Sequence, residues 1–330
     1  MSIPPLPIAP ESPWLAPLAG FSDLPFRLLC REQGCRVACT EMVSAKGLIF
    51  GNVGTERILV TSAMDAPLVV QLYGPDPRTL EQAMDLLLER DVSYFDFNCG
   101  CSVPKVTKTG CGAALLRTPQ TLLEIVRSMV ARAGPGRVGV KLRLGWRPGE
   151  EVFLELGRRL EDLGAAWLTL HPRWATQGFS GQADWDSLAR LRAHVSIPVI
   201  ASGDLFTAED ARRCLDQTGV RGVMFARGAL WDPAIFRKFL ALSPDGDPFC
   251  FSAEYSITVV RRHMALAREY LDDRRALLAM RTIAPRYLRH FPGAKALRSR
   301  FTMVDSWEQL DDLLESLCEN QEIFNPDSQV

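Results

Sequence analysis

The sequence predicts an α/β protein: a (β/α)8 (TIM) barrel followed by a small C-terminal helical domain. Eight short apolar runs recur along residues 14–228, helix-length amphipathic segments separate several of them, and only helical periodicity follows residue 252. Apolar runs without alternation are typical of parallel strands that are buried on both faces. Their alternation with helices favours a barrel over an open doubly wound sheet.

The elements follow one another at barrel spacing. The predicted strands lie at 14–20, 38–43, 67–74, 94–100, 138–144, 167–173, 198–204 and 222–228. The clearest helices between them are predicted at 77–90, 119–133, 150–164 and 207–217. Thr207 is of the residue type that caps helix N-termini, with Asp210 in the first turn. The turn-rich segment 243–250 divides the chain into a barrel domain at 1–242 and a helical domain at 243–330.

Composition narrows the class of protein. The N-terminal sequence MSIPPLPIAPESP has neither a basic segment nor a long apolar run, which argues against a secretory signal. No stretch reaches the ~18 uncharged apolar residues of a membrane span. We therefore expect a cytoplasmic monomer without membrane contact. Nine cysteines without a CxxC pair favour reduced thiols and give little support to a metal site.

The net charge of −1 hides an uneven distribution of charge. Residues 281–300 carry six Lys/Arg and no Asp/Glu, with Tyr287, His290 and Phe291 interleaved, whereas residues 301–330 carry eight Asp/Glu and no Lys/Arg. A basic cluster of this kind is the electrostatic footprint of a contact with a phosphate backbone. The alternative is a solvated helix face that the acidic tail neutralises, and charge alone does not separate the two.

Seven of the predicted strands end in polar or glycine-containing sequences. These strand ends are Pro17-Leu18-Ala19-Gly20, Gln71, Asn98-Cys99-Gly100-Cys101, Lys141 with Arg143, His171 with Arg173, Ser202-Gly203-Asp204 and Ala226-Arg227-Gly228. A lone buried histidine or lysine is commonly a satisfied structural group. Because catalytic groups of barrels lie at the C-terminal ends of the strands, the convergence of all these residues on one rim favours a functional site.

The last two strand ends suit a phosphate group. Backbone N–H groups approach a phosphate closely where glycine leaves out the Cβ, and the next helix N-terminus adds partial positive charge. Flavin, pyridoxal-phosphate and sugar-phosphate enzymes share this feature. Lys141 could lie under an electron-rich ring and stabilise an anionic reduced flavin, and Gln71 could bond the pyrimidine edge of that ring.

A series of segments resembles the successive motifs of the bacterial tRNA-dihydrouridine synthases. The segments are LAPLAGFSDLPFR (15–27), TEMVSAKGL (40–48), VVQLYG (69–74), DFNCGCSVPKVTKTGCGAALL (96–116), VKLRLGW (140–146), PVIASGDL (198–205), GVMFARGAL (222–230) and PGAKALR (292–298). They occur in the family's order over residues 14–300. The stretch around Cys101 is the most family-specific part.

The resemblance implies an enzyme that binds FMN, takes hydride from NADPH and reduces the C5=C6 bond of specific uridines in tRNA to 5,6-dihydrouridine. Cys101 matches the general acid that protonates C5 as hydride reaches C6, and a neutral thiol is a competent donor. Cys99 is the lesser alternative, and Cys111 is expected to be structural. The resemblance implies cofactor contacts from Pro17, Leu18, Ala19, Gln71, Lys141, His171, Ser202, Gly203, Asp204, Ala226 and Arg227.

Substrate contacts are expected from Asn98, Arg143, Arg173, Lys105, Arg289 and Arg298. Lys105 and Lys108 lie in the sequence beside Cys101, where a plain solvated loop is an equal alternative. A uracil in folded tRNA is stacked, so its reduction requires extrusion into a pocket. The basic segment 281–300 would then hold the rest of the tRNA through phosphate contacts.

Four positions depart from the family pattern. Ser102 replaces a proline, Ser202 an asparagine, and Pro172 and Ala226 each replace a glycine. Two further functions stay open: a flavin barrel that reduces a free pyrimidine or a small enone, and a non-catalytic RNA-binding relative. Activity on free uracil would favour the first, and tRNA binding without NADPH oxidation would favour the second.

Overall fold

The computed structural model describes residues 3–243, 246–247, 249, 252–291 and 293–319. Its parallel strands are β1 (Trp14–Leu15), β2 (Val37–Cys39), β3 (Val43–Ser44), β4 (Leu68–Tyr73), β5 (Tyr94–Asn98), β6 (Val138–Arg143), β7 (Trp167–His171), β8 (Val199–Ala201) and β9 (Gly222–Phe225). Strand β1 pairs with both β2 and β9, and β2 also pairs with β4, so the sheet closes on itself. Strands β2 and β3 both pair with β4 and together form one barrel strand. The predicted eight-stranded barrel is therefore confirmed.

Helices alternate with the strands and continue beyond them. They are α1 (Leu24–Glu32), α2 (Ala45–Ile49), α3 (Val53–Ile58), α4 (Pro77–Leu88), α5 (Pro104–Thr107), α6 (Pro119–Ala133), α7 (Phe153–Asp162), α8 (Trp185–His194), α9 (Ala208–Thr218), α10 (Arg227–Trp231), α11 (Ile235–Ala241), α12 (Ala253–Tyr270), α13 (Asp273–Tyr287), α14 (Ala294–Thr302) and α15 (Trp307–Glu319). Short 3-10 turns occur at Ala63–Asp65 and Gly112–Arg117. Helix α9 begins after Thr207, whose side chain forms the predicted cap with Asp210.

Some sequence-based boundaries were too long, and some lie outside the described residues. Several predicted strands ran past the observed ends, because residues such as 16–20, 202–204 and 226–228 leave the ladder and form the rim. Half of the predicted linker 243–250 and the end of the acidic tail, residues 320–330, lie outside the described part of the chain. A helical region, α12 to α15, follows the barrel as expected.

Strand side chains alternate between two separate hydrophobic layers. Phe95, Phe97 and Leu168 pack toward the surrounding helices, whereas Trp14 and Trp167 belong to a second cluster inside the barrel. The interior changes along the barrel axis from an apolar floor to a polar upper layer. That upper layer contains Gln71, Asp96, Asn98, Lys141, Arg143, Thr169, His171 and Ser202.

The N-terminal segment 3–9 covers the floor of the barrel. Trp14 Nε1 donates to the carbonyl of Pro7 at 3.2 Å, and the hydroxyl of Tyr94 donates to the carbonyl of Pro4. The rings of Trp14 and Trp167 lie 5.6 Å apart and fill the space above. The polar upper layer is therefore reached from the C-terminal end of the barrel.

We expect Gly139→Ala to destabilise the barrel by about 1–3 kcal/mol, the usual cost of overpacking a core. A Cβ at Gly139 would lie 1.9 Å from Cε2 of the Trp167 indole. The control is Gly222→Ala on β9, where the nearest atom to a new Cβ is 3.7 Å away. Urea unfolding should show a loss for the first variant and little change for the second. Equal losses would contradict the packing argument.

The helical region packs against α1 and reaches the barrel rim. Arg262 and Glu32 form an ion pair at 2.6 Å. His263 is fully buried, bonds the Tyr287 hydroxyl at 2.9 Å and stays neutral, because burial lowers its pKa to about 3. At the end of α13, the guanidinium of Arg286 lies 4.9 Å from the ring centre of Phe21 in the loop after β1. Within the described residues, every helix is too short or too polar to cross a bilayer.

Candidate active site

A cavity opens at the C-terminal end of the barrel, directly on the polar upper layer. The predicted site residues that line it are Pro17, Leu18, Ala19, Asn98, Cys101, Lys141, Arg143, His171, Ser202, Gly203, Asp204, Ala226 and Arg227. Met42, Phe179, Leu205 and Phe206 also line it and were not predicted. The loops that follow the strands therefore bring together residues from distant parts of the chain.

Five predicted residues lie away from this wall. Gln71 is fully buried below the cavity, and Arg173 is buried behind His171. Lys105 is exposed on α5, close in the chain to Cys101. Arg289 and Arg298 are exposed in the helical region.

A chain of hydrogen bonds crosses the upper layer beneath the cavity. Gln71 Nε2 donates to Asp96 Oδ2 at 2.5 Å, and Asn98 Nδ2 donates to Gln71 Oε1 at 2.8 Å. Asn98 Oδ1 accepts from the backbone N–H of Cys101 at 3.0 Å. Sequence reasoning missed Asp96, although an acidic residue in the apolar run YFDFN was a usable signal.

Two opposite charges lie in this layer. Lys141 is half-buried, and burial lowers the pKa of its ammonium, with Arg143 adding to the effect. Burial raises the pKa of the Asp96 carboxyl. Each charge opposes the effect of burial on the other, so the pair retains a cation directly under the cavity.

The loop that carries Cys101 is fixed by its backbone. The carbonyl of Cys101 accepts from the N–H of Ala113 at 2.9 Å. Gly112 has φ +61°, and a Cβ there would lie 2.6 Å from the carbonyl oxygen of Cys101. These contacts leave the half-buried thiol of Cys101 on the cavity wall.

The two neighbouring cysteines are in different surroundings. Cys99 is fully buried in the layer between barrel and helices, and burial raises the pKa of its thiol. Cys111 is buried as well, with Sγ 3.6 Å from the carbonyl of Thr109. Neither lines the cavity, which leaves Cys101 as the thiol with access to a bound substrate.

The ends of β8 and β9 form a compact, positively charged corner. Gly203 has φ +112°, and a Cβ there would lie 2.7 Å from Cδ2 of His171. The Asp204 carboxylate joins two guanidinium groups, accepting from Arg173 at 2.6 Å and from Arg227 at 3.2 Å. Two arginines around one carboxylate leave this corner with an excess of positive charge.

His171 is neutral in this corner. Its Nε2 lies 3.1 Å from Arg173 NH1, and because a guanidinium can only donate, Nε2 is the acceptor. Burial lowers the pKa of His171 well below its usual value, and the charge of Lys141 adds to this effect. The proton of the neutral ring therefore resides on Nδ1.

Arg143 and Arg173, which were predicted to lie near the substrate, donate hydrogen bonds to backbone carbonyls of neighbouring loops. Arg143 donates to the carbonyls of Gly100 at 2.8 Å, Trp174 at 3.0 Å and Gly178 at 2.8 Å. Arg173 donates to the carbonyls of Ser180 and Gly181 as well as to Asp204. Arg143 lines the cavity and Arg173 lies behind His171, and the hydrogen bonds of both hold the loops that form the cavity walls.

The loop after β1 is supported from below. The hydroxyl of Ser22 accepts from the backbone N–H of Leu18 at 2.9 Å. The carbonyl of Ser22 accepts from Arg27 NH1 at 2.8 Å. Arg27 is fully buried and forms an ion pair with the equally buried Asp65 at 2.8 Å. This ion pair thus helps to hold residues 17–19 at the cavity.

An arginine–aromatic column connects the cavity to the helical region; it consists of Phe179, Arg227, Phe206, Trp231 and Arg289. The Arg227 guanidinium lies 4.9 Å from the ring centre of Phe179 and 4.8 Å from that of Phe206. Phe206 stacks on Trp231 at 5.0 Å, and Arg289 lies 4.4 Å from the Trp231 ring centre. Arg289, which follows the end of α13, is therefore in direct contact with the barrel rim.

Known proteins resemble the chain over most of its length. A family model described as dihydrouridine synthase (Dus) matches residues 14–323. The chain is 32% identical over 314 residues to a probable tRNA-dihydrouridine synthase of Treponema pallidum, covering 92% of each chain. It is 37% identical over 318 residues to one of Mycobacterium tuberculosis, covering 92% of this chain and 81% of the relative.

Two more comparisons agree with these. The chain is 31% identical to tRNA-dihydrouridine synthase B of Vibrio cholerae, covering 93% of this chain and 95% of the relative. An old yellow enzyme homologue from Zymomonas mobilis superposes with a TM-score of 0.51 at 14% identity, covering 73% of this chain and 93% of that one. At this low identity the likeness concerns the barrel fold.

Proposed function

Because this chain belongs to the dihydrouridine synthase family, we propose that it binds FMN at the barrel rim and uses NADPH to reduce uridines in tRNA to 5,6-dihydrouridine. The observation that carries the proposal is one cavity that joins three features: a positively charged corner with a glycine at Gly203, a half-buried cation at Lys141, and the thiol of Cys101. The corner suits a phosphate, the cation suits an electron-rich ring, and the thiol suits a proton transfer.

The residues fit FMN by their own geometry. At Gly203 the positive φ and the missing Cβ let the backbone pack directly against the His171 ring at the cavity wall. A backbone with a positive φ at this position can direct peptide N–H groups at a phosphate. Arg227 borders the same corner, and it is part of the cavity wall. Lys141 supplies positive charge beside Asn98, its register partner on β5. When bound, FMN supplies the hydride that is transferred from NADPH to C6 of uracil.

The protein side of the reaction is proton delivery. The Sγ–H of Cys101 gives its proton to C5 of the uracil, and the resulting thiolate must regain a proton before the next turnover. Asn98 keeps the Cys101 backbone in place through the bond to its N–H. The neutral His171 and the two arginines beside it border the corner where the phosphate would bind.

The test is a comparison of substrates with the purified, FMN-loaded protein. We expect NADPH oxidation that depends on tRNA lacking dihydrouridine, and dihydrouridine in the product. Oxidation supported by free uracil instead would favour a flavin enzyme for small pyrimidines. Tight tRNA binding without oxidation would favour a non-catalytic RNA-binding relative.

We propose that the basic segment 281–300 of the helical region holds the tRNA. We expect the double variant Arg289→Glu and Arg298→Glu to weaken tRNA binding and to flatten its salt dependence, because each lost phosphate contact lowers the slope by about 0.7–0.9. Filter binding at several salt concentrations would measure both quantities.

The control for this experiment is Arg274→Glu, an exposed arginine at the opposite end of α13. It changes the charge of the helical region outside the basic segment 281–300 and should leave the salt slope unchanged. FMN content should be normal in all variants. A parallel loss of FMN would show that Arg289 acts through its stacking on Trp231 rather than by binding tRNA.

A further inference from the structure

Asp96 occupies the barrel interior below the cavity and is 1% exposed. Its Oδ2 accepts from Gln71, while its Oδ1 has no hydrogen-bond partner among the described residues. Gln71 turns its NH2 group toward Asp96, as the carboxylate form requires, since a carboxylate has acceptors only. The carbonyl oxygen of the Gln71 amide is then on the opposite side, facing Asn98.

The orientation of the Gln71 amide determines that of the next amide, Asn98. Because Gln71 presents an oxygen, Asn98 must present its NH2 group to Gln71. The oxygen of Asn98 is thereby directed at the backbone N–H groups of Cys101 and Gly100, at 3.0 and 3.3 Å. Each link in this orientation joins a donor to an acceptor, from the Asp96 carboxylate at the buried end to the backbone N–H groups at the other.

A nearby cation reinforces the arrangement. Lys141 pairs in register with Asn98, and Asp96 pairs with Gly139, so lysine and aspartate lie diagonally across neighbouring strands. The charge of Lys141 lowers the pKa of the Asp96 carboxyl, against the effect of burial, and so favours the carboxylate form. A carboxylate presents an oxygen to Gln71 in either orientation, because both of its terminal atoms are oxygens.

We propose that Asp96 is a positioning residue that sets the direction of the hydrogen-bond chain through Gln71 and Asn98 and so holds the Cys101 loop in place for proton delivery. The inference rests on the proposed function, in which Cys101 is the proton donor. Asp96 itself lies beneath the cavity and outside its lining.

The substitution Asp96→Asn tests this without a large change in volume. Asparagine has one oxygen and one NH2 group where aspartate has two oxygens, so Gln71 no longer meets an acceptor in both orientations. When the new NH2 group faces Gln71, Gln71 and then Asn98 reverse, and the NH2 group of Asn98 faces the N–H of Cys101. Two donors cannot bond, so the contact that fixes the loop is lost.

The first measurement is amide hydrogen exchange of the Cys101 N–H in the FMN-loaded protein. We expect exchange roughly tenfold faster in Asp96→Asn, as befits one lost hydrogen bond. The matched control is Thr169→Val, a buried change in the same layer at a hydroxyl without a partner among the described residues. Unchanged exchange at Cys101 in Asp96→Asn would overturn the proposal, whatever the activity of the protein.

The second measurement is a double-mutant cycle on the rate of tRNA reduction by enzyme whose flavin has been reduced beforehand. Asp96→Asn should slow this step in the wild-type background and should have no further effect in an Asn98→Ala background. Additive effects would show that Asp96 acts by another route and would overturn the proposal. A wild-type enzyme that does not reduce tRNA would instead refute the proposed function and leave the exchange measurement to decide this inference.

Discussion

Replacing Cys101 with alanine should slow uridine reduction in tRNA by about 10²–10⁴-fold, the usual contribution of a positioned acid. FMN content and the oxidation of NADPH by the flavin should stay normal. The loop contacts of Cys101 are made by its backbone N–H and carbonyl, which alanine keeps. The loss would therefore report on the thiol alone.

The measurement is dihydrouridine at each tRNA position in a deletion strain complemented with either wild-type protein or Cys101→Ala. Restoration by the wild type alone would identify the reaction, the acid and the target uridine together. Cys99→Ala is the matched control, since Cys99 is buried away from the cavity and should retain activity. The reverse pattern would assign the acid to Cys99. A yellow wild-type protein that restores nothing would point to another substrate.

Removing the carboxylate of Asp65 should lower the free energy of unfolding by about 3–5 kcal/mol, the cost of leaving a buried charge without its partner. Arg27 is fully buried, and its guanidinium donates to Asp65 and to the carbonyls of Ser22 and Val60. Asp65→Ala takes away the one anion in that set. The same change should loosen the loop at Leu18 and weaken FMN binding.

Urea unfolding of Asp65→Ala and Glu56→Ala would compare how much a buried ion pair and an exposed one contribute to the free energy of unfolding. Glu56 pairs with Arg90 at 2.7 Å, but both side chains are about two-fifths exposed, at 40% and 44%. Exposed pairs contribute about 0–1 kcal/mol, so Glu56→Ala should change stability little. A similar small loss for Asp65→Ala would mean that water reaches Arg27.

The barrel could be predicted because each strand is apolar on its outer face and carries its polar groups at its C-terminal end. The rim residues followed from the same pattern. What the sequence could not reveal were contacts between strands. Asp96 and Gln71 are 25 positions apart in the chain, and their bond depends on strand register.

Two further differences have a local cause. The second barrel strand was predicted as one run, but Thr40 interrupts it, because the Thr40 hydroxyl accepts from the N–H of Gln71 at 3.1 Å. The arginine–aromatic column combines residues from four separate segments, and no local pattern marks such contacts. Phe179 in particular lies in a loop and is 60% exposed, which resembles an ordinary surface residue.

Arg143 joins the loop that begins at Gly100 to the loop that contains Trp174 and Gly178. One guanidinium therefore ties together the two loops that carry Cys101 and Phe179, both of which line the cavity. For the proposed uracil substrate, we expect an entrance tied in this way to select the base by its outline and thickness rather than by closing around it. A change of length in one loop would also shift the other, so the two segments are expected to vary together.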